Sequence, residues 1–78
     1  MWLVTGGAGY IGSHVVLKMK EAGFEVLILD NLSSGLTERI PVGVNFIKGD
    51  ICDFDLVSKI LLENKVEGII NLAALKSV

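Results

Sequence analysis

Seventy-eight residues, 51% of them hydrophobic, with a formal net charge of −2, allow one small domain at most and give no support to nucleic-acid binding. The mean hydropathy of +0.62 suits buried parallel strands, which read as continuous apolar runs because both faces are covered. No apolar run is long enough to span a bilayer and no basic leader precedes a cleavage-like site, so neither a membrane partner nor a secretion signal is expected. A single cysteine, Cys52, fits a reducing, cytoplasmic setting.

In chain order, residues 2 to 5 read as a first strand. Tyr10 to about Ala22 reads as a helix, with Ile11, Val15, Val16 and Met19 at helical spacing and Gly23 as its stop. Phe24 to Leu29 is a second strand, closed by Asp30-Asn31. Residues 31 to 43, with Ser33-Ser34-Gly35 and Pro41, look irregular. Val44 to Lys48 is a third short strand, ended by Gly49-Asp50. Asp53 is placed to cap a helix over about 54 to 64, with Phe54, Val57, Ile60 and Leu61 inward. Glu67 to Leu72 is a fourth strand. Right-handed crossovers between parallel strands predict the α/β order 3-2-1-4, with one helix on each face. The carboxyl ends at Gly6, Asp30, Asp50 and Ala73 then share one edge. Residues 6–12 face 72–76 across the switch point, and the fourth strand is an edge open to homo-oligomer formation.

The stretch Val4-Thr5-Gly6-Gly7-Ala8-Gly9-Tyr10-Ile11-Gly12 carries the chemistry. Four glycines in seven positions let the backbone turn sharply and bring bare N–H groups against a phosphate. The helix that follows aims its positive end at the same spot. Asp30 ends the next apolar run, 18 residues after Gly12, where a carboxylate accepts hydrogen bonds from an adenosine ribose diol. Together these features predict a dinucleotide on a truncated Rossmann-like sheet.

Thr5-Gly6-Gly7-Ala8-Gly9-Tyr10-Ile11-Gly12-Ser13-His14 resembles the opening of the extended short-chain dehydrogenase/reductases. Gly6, Gly9 and Gly12 fit that family's G-x-x-G-x-x-G; Gly7, Gly9 and Gly12 fit the wider G-x-G-x-x-G. Leu29-Asp30-Asn31-Leu32, Gly49-Asp50-Ile51 and Leu72-Ala73-Ala74-Leu75-Lys76-Ser77-Val78 match further blocks. The Leu-Lys-Ser-Val ending is nearest the UDP-glucose 4-epimerase branch, since nucleotide-sugar dehydratases typically carry Glu-Ser-His there. Asn71 departs from the histidine often found at its position. The resemblance covers the whole chain but only the N-terminal part of such an enzyme.

The resemblance implies NAD as cofactor. Gly6, Gly9, Tyr10 and Ile11 would surround its pyrophosphate, with Gly12 completing the motif. Asp30 and Asn31 would hold the adenosine ribose, with Ser34 nearby, and Asp50 and Ile51 would flank the adenine. Leu72, Ala73 and Ala74 would line the approach to the nicotinamide half, and Lys76 would reach a cofactor ribose or phosphate. Asp30 argues for NAD over NADP, because a carboxylate repels a 2′-phosphate and no arginine lies in the glycine loop to reverse that choice. A UDP-sugar would bind only in a full-length parent. The family's Tyr-x-x-x-Lys pair is absent: Tyr10 is the only tyrosine, and His14 stands four residues on. No catalytic residue is assigned, and the chain is predicted inactive by itself.

Plainer readings stand beside these. Asp30 also fits a strand-end cap, Asp50 the start of a turn, and Lys76 a solvated surface lysine. His14 reads as packing or surface, Cys52 as a small buried residue rather than a reactive thiol, and Trp2 as packing beside the first strand. Neither His14 nor Cys52 has metal-ligand spacing. The whole chain also fits a stand-alone nucleotide-binding or self-associating module, or a fragment of a nucleotide-sugar 4,6-dehydratase.

Overall fold

Strands β1 (Trp2–Thr5), β2 (Val26–Asp30), β3 (Asn45–Lys48) and β4 (Gly68–Asn71) pair in parallel in the order β3-β2-β1-β4. Helices α1 (Tyr10–Glu21) and α2 (Phe54–Glu63) provide the first and last crossovers. The computed structural model describes residues 1–32 and 37–72. This is the order expected from the sequence, and its inner pair, β1 and β2, carries the most continuous apolar runs. Every residue of β2 is buried, as a strand with neighbours on both edges and helices on both faces must be.

The period of two along the strands divides the core. Leu3, Leu27 and Leu29 meet Ile60 of α2 on one face. Val4, Val26 and Ile28 meet Val16 of α1 on the other. Each helix therefore covers its own face, and the two layers hold the sheet's carboxyl edge in a fixed shape. No helix among the described residues is long and apolar enough to cross a membrane.

Several expectations need correction. Phe54 is 79% exposed rather than inward. It is the first residue of α2 and projects beyond the sheet, while Leu56, Val57, Ile60 and Leu61 form the packed stripe. Ile11, likewise near its helix start, is 58% exposed, and Gly12, Ser13 and Val16 are the buried positions of α1. Cys52 is exposed, not buried. Its N–H donates to Asp50 Oδ1 at 2.8 Å, so the chain makes its turn outside the sheet. β2 begins at Val26 rather than Phe24, because the Phe24 N–H still bonds Met19 O in the exit turn of α1. Phe24 instead sets its ring edge-on to Trp2, at 6.3 Å between centroids. Within the stretch read as irregular, Thr37–Arg39 forms a short 3-10 helix.

Candidate functional site

The glycine loop begins where β1 ends. Gly6, at φ +78°, turns the chain in a way that L side chains resist, while its N–H still bonds Leu29 O at 3.0 Å. The Gly9 N–H closes the turn on Gly6 O at 3.2 Å, and the Ser13 N–H makes the first bond of α1, to Gly9 O at 2.9 Å. A Cβ on Gly12 would stand 2.1 Å from Gly6 O, so α1 can seat its first turn on the loop only with glycine there.

The start of α1 lacks the usual closure. Gly9 is its N-cap and offers no side chain, and the first turn holds no acid. The N–H groups of Tyr10, Ile11 and Gly12 thus have no acceptor among the described residues. Together with the helix macrodipole, they form a donor set suited to an anion such as a pyrophosphate.

Asp30 ends β2 beside this loop and is only 4% exposed. Its Oδ2 accepts from the Ala8 N–H at 3.1 Å. Its Oδ1 accepts from the Leu32 N–H at 2.8 Å. The carboxylate therefore braces the glycine loop as well as ending the strand. The turn it draws in holds Leu32 at φ +63°, a conformation that costs a leucine about 1–2 kcal/mol. Asn31 lies exposed between them.

Asp50 and Ile51 follow β3 at the same edge and are both exposed. Asp50 Oδ1 accepts only from the Cys52 N–H among the described bonds. Leu72 follows β4, its N–H bonded to Thr5 O at 2.9 Å, and packs partly buried on the α1 face. Gly6, Gly9, Tyr10, Ile11, Gly12, Asp30, Asn31, Asp50, Ile51 and Leu72 thus gather at the carboxyl edge. Ser34, Ala73, Ala74 and Lys76 lie outside the described residues. His14 is exposed, its ring 4.9 Å from that of Tyr10. A cavity of about 240 Å³ at the opposite edge, between Met1, Phe24, Val26 and Val44, touches none of the candidate residues.

Comparison with known proteins gives the family and the fold. The model of the NAD dependent epimerase/dehydratase family matches residues 2–78. The chain belongs to that family. A UDP-glucose 4-epimerase of Streptomyces lividans is 44% identical over 78 residues, covering 99% of this chain and 24% of the relative. The crystal structure of the Thermus thermophilus UDP-glucose 4-epimerase in complex with NAD matches at a TM-score of 0.85 and 41% identity, over 91% of this chain and 23% of that one. The dTDP-glucose 4,6-dehydratase of Bacillus anthracis, also in complex with NAD, matches at a TM-score of 0.85 and 32% identity, over 91% of this chain and 25% of that one. The chain spans about a quarter of the length of the relatives it matches.

Two polar contacts in this member of the epimerase/dehydratase family were not legible in its sequence. The Thr5 hydroxyl, 1% exposed, donates to Asn71 Oδ1 at 2.7 Å and ties β1 to β4 at the switch point. Asparagine thus has a structural role at the position where histidine was expected. The second contact is the Ala8–Asp30 bond. For Thr5 the available signal was a hydroxyl ending a buried strand; for Ala8 the sequence carries none.

Proposed function

We propose that this chain is the N-terminal, NAD-binding part of a UDP-glucose 4-epimerase-type enzyme, which interconverts UDP-glucose and UDP-galactose. The observation that carries this reading is the uncapped start of α1, with three backbone donors beside Asp30. The residues present fit the cofactor. Gly12 admits the close approach of helix and loop, and the N–H groups of Tyr10, Ile11 and Gly12 match phosphoryl oxygens in number and charge. NAD, when bound, supplies the reversible hydride transfer.

This chain's own residues do the positioning. Gly6, Gly9, Tyr10 and Ile11 hold the pyrophosphate, and Gly12 sets the distance of the helix from it. Asp30 and Asn31, with Ser34, receive the adenosine ribose. Asp50 and Ile51 bound the adenine, and Leu72, Ala73, Ala74 and Lys76 receive the nicotinamide half. The buried carboxylate of Asp30 disfavours a 2′-phosphate, because two anions in a water-poor site repel strongly. The proton transfers require the Tyr-x-x-x-Lys pair that these 78 residues lack, so the chain contributes the cofactor half of the reaction.

Calorimetric titration of the chain with NAD and NADP tests this reading. NAD should bind saturably, NADP at least about tenfold more weakly, and Asp30→Ala should lower NAD affinity by about tenfold or more, the cost of losing a charge-assisted contact. Asp30→Ala also removes the acceptor for two backbone N–H groups, so a thermal melt accompanies it. A folded wild type that ignores NAD overturns the proposal.

A further inference from the structure

Arg39 is the only arginine of the chain, and the fold brings it to a place its sequence position does not suggest. It ends the short helix Thr37–Arg39, yet its guanidinium carbon lies 5.9 Å from the centroid of the Tyr10 ring. Tyr10 is the first residue of α1, 68% exposed, and its N–H belongs to the donor set of the glycine loop. Among the described residues no carboxylate pairs with Arg39. A guanidinium over an aromatic face is held by the ring quadrupole while its N–H fork stays available. The same edge carries the carboxylates of Asp30 and Asp50 beside Lys48 at the end of β3, so a dinucleotide adds two phosphate charges to an edge that already holds two carboxylates.

We propose that Arg39 is a further cofactor-binding residue, a cation perched on Tyr10 that takes two phosphoryl oxygens of the pyrophosphate opposite the α1 N–H groups. The assignment rests on the NAD reading above. Tyr10 then serves twice, through its N–H as a donor and through its ring as the support of Arg39. Guanidinium suits the role better than ammonium because its planar fork meets two phosphoryl oxygens at once. The contact supplies charge and orientation to the pyrophosphate and none to adenosine.

Titrations of wild type, Arg39→Gln and Arg39→Lys with NAD, NADP and adenosine, each at low and high salt, test the assignment. Arg39→Gln should weaken NAD about tenfold and flatten the dependence of affinity on salt, the mark of a lost ionic contact. It should leave adenosine within about twofold, and Arg39→Lys should recover part of the loss. Arg39 is exposed, so the melts of the variants should match wild type. Equal losses for NAD and adenosine would overturn the assignment, since Arg39 would then act through the ribose loop. A loss confined to NADP would overturn it in favour of a 2′-phosphate contact. Unchanged NAD affinity would sink Arg39 alone, whereas a wild type that binds no NAD would remove the NAD reading and this assignment together.

Discussion

The two helices of this chain both start at the carboxyl edge of the sheet, each with an exposed aromatic residue, Tyr10 in α1 and Phe54 in α2. The likeness ends at the cap. In α2, Asp53 Oδ1 accepts from the Leu56 N–H at 3.2 Å, and Asp55 adds negative charge to the first turn. In α1, Gly9 offers no side chain and the first turn holds no acid. Two helix ends with the same dipole and the same place in the fold are thus made chemically opposite. α2 gives one of its first-turn donors a side-chain acceptor and sets an acid beside the others, whereas α1 leaves all three of its own for something that arrives. Position in the fold makes both ends candidates for an anion; residue choice leaves one of them open.

The largest test of this contrast is steric. Gly12→Val would drive a branched side chain into Gly6 O, which lies 2.1 Å from the position of its Cβ. The obstacle is backbone, so the helix or the loop must move. We expect a loss of about 3 kcal/mol or more in urea unfolding. That is a large part of the whole stability of a domain this size, on the order of 4–12 kcal/mol. A Gly12→Val chain with a wild-type unfolding midpoint would show that α1 does not need its close seat on the loop.

The cap of α2 gives an intermediate effect of a different kind. Asp53→Ala removes one side-chain acceptor from the helix start and should cost about 1 kcal/mol. Because Asp53 belongs to the closed helix end, NAD affinity measured by calorimetry should stay at the wild-type value. A matching loss of NAD affinity would mean that the two ends are coupled through the sheet and that the contrast is not local.

How much of this was legible follows the range of each interaction. Strand order could be read because continuous apolar runs, helical spacing and right-handed crossovers leave few alternatives. The cap at Asp53 and the turn at Gly6 could be read because they are local. Asp30 was legible as a strand-end carboxylate at the right spacing, but its bond to the Ala8 N–H joins positions 22 residues apart and has no local signature. The same holds for Thr5 with Asn71, 66 residues apart, and for Arg39 over Tyr10. A search of the glycine loop for an arginine finds none, because the cation comes from another segment. The errors at Phe54, Ile11 and Cys52 share a cause. Helical period and hydrophobicity describe the middle of a helix, while the first residues of α1 and α2 and the turn before α2 overhang the sheet and face solvent.

The smallest expected effect tests that last point on the closed helix. Phe54 is 79% exposed, and among the described residues its ring meets no other ring, whereas the Tyr10 ring meets both His14 and Arg39. Phe54→Ser removes apolar surface that folding scarcely covers and places a residue well tolerated in a first helical turn. Stability should therefore change by no more than about 0.5 kcal/mol, read as the urea midpoint, with NAD affinity unchanged. Tyr10→Ser, the matching change on α1, should instead weaken NAD by removing the support of Arg39. A loss above about 1 kcal/mol for Phe54→Ser would mean that something covers this ring in solution. Sedimentation of wild type and variant across a concentration series would then show whether a second copy of the chain does so. The start of α2 would in that case be an interface, and each helix end would be specialised in its own way.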